Sequence, residues 1–112
     1  MCRSKIRQRI IRCRDISGHL HKINVQYDDK ISFEYNTLLQ NAARIMDTEG
    51  VRQSSKDIVL RKEESARFLR EYQKAIDLTC GPGSYHRIME YCGRSFNGLL
   101  RFIQHLTAIV RE

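Results

Sequence analysis

The sequence predicts an α+β fold that is mainly helical, with a small antiparallel β element near the N-terminus followed by three helices. Apolar and polar residues alternate between residues 22 and 35, apolar residues recur at helical spacing over most of the remainder, and Gly and Pro interrupt that recurrence at residues 81–83. The length of 112 residues and the composition, 41% hydrophobic and 29% charged, are those of one globular domain. We therefore expect a single domain over residues 1–112, with a basic segment at 1–16 and a helical body with its hairpin at 17–112.

The β element is predicted to be a hairpin at about residues 22–35. β-branched and aromatic residues alternate there with polar ones on both sides of a short polar turn. A helix from Ile31 onward is the competing interpretation, because apolar residues also recur there at helical spacing. Phe33 falls off that helical stripe, which favours the hairpin. Upstream, residues 5–13 fit either a further strand, paired through a turn at residues 17–18, or an amphipathic helix.

Three helices are predicted at about residues 37–48, 55–79 and 84–111, the last two forming an antiparallel hairpin around the turn at 81–83. The third has the strongest periodicity, an apolar seam spaced three and four residues apart for more than three heptads. It would be about 40 Å long, which exceeds the width of a compact domain of this size, so part of the seam is expected to remain for a protein partner or a symmetric dimer. The candidate interface residues are Phe96, Leu99, Ile103, Leu106 and Val110.

The net charge of +7 is concentrated near the N-terminus. Residues 1–27 hold seven cations and one acid, whereas residues 28–112 hold thirteen cations and twelve acids. A local excess of this kind attracts polyanions. If residues 3–9 are extended, alternate cations project to one side and can follow a phosphate backbone. The predicted phosphate contacts are Arg3, Lys5, Arg7, Arg9, Arg12, Arg14 and, as an auxiliary contact, Lys22.

The leading functional prediction is a non-enzymatic protein that binds DNA or RNA through backbone contacts, with Tyr27 or Tyr35 stacking on a base if either is exposed. The alternative is a small protein-interaction module, such as an inhibitor, adaptor or assembly subunit, that docks through the C-terminal helix pair. Salt separates these two functions, because phosphate binding weakens steeply as salt rises whereas contact dominated by apolar burial barely responds.

Motifs for catalysis, a cofactor or a membrane are missing from the sequence. It has no paired carboxylates, nucleophile elbow or dinucleotide fingerprint. His19 and His21 lack the further ligands that a closed zinc site requires, and the four cysteines include no C-x-x-C pair, so we expect no metal and free thiols. No apolar stretch approaches about 18 residues or has the form of a secretory signal. A cytoplasmic location is expected, or a nucleoid or nuclear one if nucleic acid is bound.

Overall fold

The computed structural model describes residues 6–48 and 67–111, which form a two-stranded antiparallel sheet followed by four helices. The predicted α+β, mainly helical fold class is confirmed. The hairpin lies further toward the N-terminus than expected, and the helices differ in number and bounds. The elements are β1 (Arg7–Arg14), β2 (Leu20–Tyr27), α1 (Asp29–Thr48), α2 (Arg67–Cys80), α3 (Ser84–Tyr91) and α4 (Phe96–Val110).

The hairpin predicted at about residues 22–35 is correct in its first strand and wrong in its second. The alternation up to Tyr27 belongs to β2, whose partner is the upstream strand β1. The residues expected to form the second strand lie in α1, so the helix predicted to start at about residue 37 begins at Asp29. Phe33, which does not fit the helical stripe, lies on the solvent side of α1 and is 73% exposed.

Asp28 is the reason that a helix begins where a turn was expected. Its carboxylate Oδ1 accepts a hydrogen bond from the Ile31 N–H (2.8 Å), and its carbonyl accepts one from the Ser32 N–H (2.8 Å). An aspartate in this position satisfies an otherwise unpaired amide of the first helical turn. Asp29 adds a negative charge within that turn, where the helix dipole favours it.

The helix predicted at residues 55–79 includes α2, and its first part, residues 55–66, lies outside the described residues. The next predicted helix is interrupted between α3 and α4. At the end of α3 the Gly93 N–H donates to the Glu90 carbonyl (3.1 Å) and the Arg94 N–H donates to the Met89 carbonyl (2.8 Å). These two bonds form a Schellman motif, which ends a helix at a residue in the left-handed region.

Gly93 is required both for this chain reversal and for a close approach of the hairpin. Its φ is 62°, and a Cβ added there would lie 2.9 Å from Ile16 Cγ2. The Ser95 hydroxyl oxygen then accepts a hydrogen bond from the Gly98 N–H (3.0 Å) and begins α4. The break thus turns one predicted helix into two, and the hairpin turn packs against the turn between them.

One hydrophobic core contains residues from both strands and all four helices. A two-stranded hairpin is marginal by itself in water, so the sheet depends on the helices that cover its inner face. Burying each large apolar side chain contributes about 1.5–3 kcal/mol. The sheet residues that are buried in this core are Ile11, Ile23, Val25 and Tyr27.

Two buried tyrosines differ in how their hydroxyl groups are satisfied. The Tyr35 hydroxyl on α1 lies 2.7 Å from Thr107 Oγ1 on α4, and that oxygen donates to the Ile103 carbonyl (2.7 Å). Burial raises the pKa of Tyr35 to about 12, so this hydroxyl remains neutral. The Tyr27 hydroxyl is also buried, but it has no hydrogen-bond partner among the described residues.

We expect Tyr35→Phe to lower the free energy of unfolding by about 1 kcal/mol, because it removes a buried hydrogen bond between two helices. Tyr27→Phe is the matched control, and it should leave stability unchanged or raise it, since an unpaired buried hydroxyl costs about 1–3 kcal/mol. Urea unfolding of both variants measures this difference. An equal loss in the two variants would contradict the hydrogen-bond assignment.

Candidate nucleic-acid interface

The hairpin is closed by a three-residue loop, Ile16-Ser17-Gly18. The Gly18 N–H donates to the Asp15 carbonyl (2.9 Å), and the Asp15 N–H donates to the His19 carbonyl (2.9 Å). Ile16 and Ser17 are the central residues of a type I turn. Gly18, with a φ of 87°, is the left-handed residue that follows them in this type of loop. This loop fixes the register of the two strands.

The Asp15 carboxylate holds the loop together. Its Oδ1 accepts hydrogen bonds from the Ser17 and His19 N–H groups (both 2.9 Å), and its Oδ2 lies 2.8 Å from His21 Nε2. These bonds, the one with His21 first, hold the pKa of Asp15 below its ordinary value of 3.8. The His21 ring stacks on Tyr91 of α3 with centroids 3.8 Å apart, so the same network joins the loop to the helices.

Side chains alternate across the hairpin and divide the predicted cations between two faces. Arg7 and Arg9 share the inner face with the buried residues, because they pair with Tyr27 and Val25 in the register. Arg12, Arg14 and Lys22 lie on the outer face, where every residue is exposed. The eight outer-face residues are Gln8, Ile10, Arg12, Arg14, Leu20, Lys22, Asn24 and Gln26.

The predicted row of cations from Arg3 to Arg9 is described only in part. Arg7 and Arg9 share one face of β1, which is the inner face, and phosphate binding by this row stays a prediction. Arg3 and Lys5 lie outside the described residues. The Arg7 guanidinium lies 3.7 Å from the Asp29 carboxylate and 5.6 Å from the centroid of the Tyr27 ring. Arg9 donates to the Gln8 carbonyl (3.1 Å). Arg7 and Arg9 are also exposed, but they project from the inner face beside the core, whereas Arg12, Arg14 and Lys22 project from the outer face.

Arg12 and Lys22 stand directly opposite each other on the outer face. Hydrogen-bonded and non-hydrogen-bonded pairs alternate along an antiparallel ladder, and the bond between Asp15 and His19 places Arg12 and Lys22 in a non-hydrogen-bonded pair. Side chains are closest in such pairs, and like charges directly opposite destabilise a sheet. No Asp or Glu lies among the outer-face residues described above to offset this repulsion.

A cleft of about 390 Å³ separates β1 from α4, and we call it the α4 cleft. Arg12 and Arg14 border it on the strand side, and Arg101 and His105 border it on the helix side. The acidic residue in its lining is Asp15, whose carboxylate is already hydrogen-bonded within the loop. The exposed cations of the outer face and of this cleft form what we call the basic band: Lys22, Arg12, Arg14 and Arg101.

Arg101 and His105 were not among the residues predicted from the sequence. The sequence does contain a pattern that indicates them. They are four residues apart and lie off the apolar seam of α4, so both are on the exposed side of the helix. The excess of positive charge in the sequence lies near the N-terminus, far from these two residues along the chain. The packing of β1 beside α4 is what brings Arg101 to the same cleft as Arg12 and Arg14.

The predicted aromatic stacking and helix-seam contacts are not supported. Tyr27 and Tyr35 are fully buried, so neither ring is available to a base. The seam of α4 is part of the core, so these side chains are not exposed to a partner in this structure, and docking through the C-terminal helix pair stays a prediction. The buried seam residues are Phe96, Leu99, Ile103, Leu106 and Val110.

The described residues contain no group of three or more His, Cys, Asp or Glu side chains that could hold a metal ion. His19 Nδ1 lies 3.7 Å from the Asp15 carboxylate, and His21 Nε2 lies 2.8 Å from it. Cys13 and Cys92 are free thiols that border the α4 cleft, and burial raises the pKa of both. A nucleophilic cysteine has a lowered pKa, which is the opposite of the direction at Cys13 and Cys92.

Comparison with known proteins does not place the chain in a family: no family model, curated protein or solved structure matches it. In the part of the chain that the structure describes, no helix has the length and apolar character needed to cross a membrane. The geometry of the hairpin and its clefts is therefore the basis for assigning a function.

Asp15 gives the hairpin a dependence on acid. Because the folded-state pKa of Asp15 lies below 3.8, its contribution to stability is present above that pH and is lost as pH falls through the folded-state pKa. Unfolding of wild type and Asp15→Asn in urea across pH 2 to 7, roughly the range in which carboxylates titrate, measures this contribution. The difference in stability between the two proteins should shrink below pH 4, approximately the ordinary aspartate value. A difference that does not change with pH would contradict the role assigned to the carboxylate.

Proposed function

We propose that this chain is a non-enzymatic nucleic-acid-binding protein whose basic band contacts phosphates. The observation that carries the proposal is the unrelieved opposition of Arg12 and Lys22 on an outer face that also carries Arg14. A phosphate placed between two like charges would remove their repulsion and add charge-assisted hydrogen bonds. Arg101 extends the same cationic surface across the α4 cleft.

The shape of the hairpin also favours this function. A two-stranded β-ribbon fits the major groove of B-DNA, which is about 12 Å wide. The outer face is made by such a ribbon, and its exposed apolar residues, Ile10 (52%) and Leu20 (50%), lie among the cations. They offer apolar contact to sugars or bases beside the phosphate contacts. Because backbone contacts dominate, affinity would depend strongly on salt and only slightly on sequence.

The attachment of the hairpin to the helices supports the proposal as well. The Asp15 network, the stacking of His21 on Tyr91 and the contact between Ile16 and Gly93 hold the hairpin against α3 and its following turn. The basic band therefore needs little further ordering before it meets a polyanion, which lowers the entropic cost of binding.

Fluorescence anisotropy of labelled oligonucleotides tests the proposal at about 50 and 200 mM salt, with single-stranded DNA, duplex DNA and RNA as separate probes. The variant Arg12→Gln/Arg14→Gln/Lys22→Gln should weaken binding by about tenfold or more. It should also lower the slope of log K against log salt by about 0.9 for each duplex phosphate contact that is lost.

The charge-matched control is Arg44→Gln/Arg70→Gln/Lys74→Gln, which removes three exposed cations from α1 and α2. It should reduce affinity much less, because these residues lie outside the basic band. Equal losses in the two variants would show that only net charge matters. Absence of binding by the wild type at the lower salt concentration would reject the proposed function.

A further inference from the structure

A second, smaller pocket borders the other strand of the sheet, between β2 and α3. We call it the α3 pocket. Its volume is about 200 Å³. A water molecule takes about 30 Å³ of liquid volume, so the pocket has room for a small polyatomic ion and several waters. The residues that give it its chemistry are Lys22, Asn24, Cys80, Ser84, Arg87 and Tyr91.

The Arg87 guanidinium is held in place by a buried serine. Its Nη2 donates to Ser84 Oγ (3.0 Å), and Ser84 Oγ donates to the Cys80 carbonyl (2.9 Å). Ser84 is only 1% exposed, so it provides a rigid support for the arginine side chain. A guanidinium fixed through one nitrogen keeps its other N–H groups available, and a planar fork of this kind matches the oxygens of a phosphate.

The edge of β2 supplies further donors. Lys22 and Asn24 belong to non-hydrogen-bonded pairs of the hairpin, so their backbone N–H groups point away from β1 and toward the free edge of β2. Both residues line the α3 pocket. Lys22 is also the second cationic residue, with Arg87, among those that line this pocket.

Among the described residues, those that line the α3 pocket include no Asp or Glu. The Cys80 thiol is neutral at physiological pH, because burial raises its pKa to about 11. The pocket therefore combines two cationic residues, a supporting hydroxyl and outward-facing amides.

We propose that the α3 pocket binds a tetrahedral oxyanion, specifically a phosphoryl group, between Arg87 and Lys22. This site overlaps the basic band at Lys22, and its other cation, Arg87, lies outside that band. It would take free phosphate or the phosphate of a small ester, and both present the same charged oxygens to the guanidinium.

Calorimetric titration of the protein with inorganic phosphate at low chloride tests this site. The wild type should bind phosphate, and Arg87→Gln should weaken that binding by about tenfold or more, because it removes the bidentate donor. Arg70→Gln is the charge-matched control: it removes an exposed cation of α2 that does not line the pocket, and it should change affinity by less than about twofold. Ser84→Ala should cause a smaller loss than Arg87→Gln, since it frees the guanidinium without removing it.

Two outcomes overturn the site: absence of phosphate binding up to about 10 mM, or equal losses in Arg87→Gln and Arg70→Gln. A nucleoside 5′-monophosphate and its unphosphorylated nucleoside, titrated separately, distinguish a phosphate ester from free phosphate as the ligand.

The oligonucleotide assay distinguishes phosphate binding in the α3 pocket from nucleic-acid binding by the basic band. Arg87→Gln should retain oligonucleotide binding, and Arg12→Gln/Arg14→Gln should retain phosphate binding. The two proposals can thus be rejected independently of each other.

Discussion

The two strands turn alternate side chains to opposite faces, and the burial of Ile11, Ile23 and Val25 decides which face meets the helices. A shift of one residue would expose that apolar set and bury Arg12 and Lys22, so the register is strongly specified. The loop closed by Asp15 enforces the same register. Both the basic band and the α3 pocket depend on this alternation, since it directs side chains outward and backbone amides toward the strand edges.

The turn between α3 and α4 is the second feature that positions the basic band. The positive φ of Gly93 ends α3, and the absence of a side chain there lets Ile16 of the hairpin loop approach. The break also places Arg101 on a separate helix that borders the α4 cleft with Arg12. A continuous helix would have carried the apolar seam straight past the hairpin instead of folding it into the core.

The fold class and the local excess of charge could be predicted from the sequence, because both depend on composition and short-range periodicity. The ends of α1 and α2 and the start of α3 were also predicted to within a residue or two. The start of α1 could not be predicted, since a polar turn and the Asp28 helix cap use the same residue types. The apolar spacing also continues through the Schellman motif at Gly93, so periodicity alone predicts one helix where the structure has α3 and α4. The division of cations between two faces, and the approach of Arg101 and Arg87 to the sheet, depend on long-range packing that a single sequence does not contain.

The most direct test of the basic band is a titration of ¹⁵N-labelled protein with a short unlabelled oligonucleotide, followed by amide chemical shifts. The account predicts that the largest changes fall in β1, the hairpin loop and β2, and again around Arg101 on α4. Changes confined to α1 and α2, or no changes at a concentration that saturates the anisotropy signal, would contradict it.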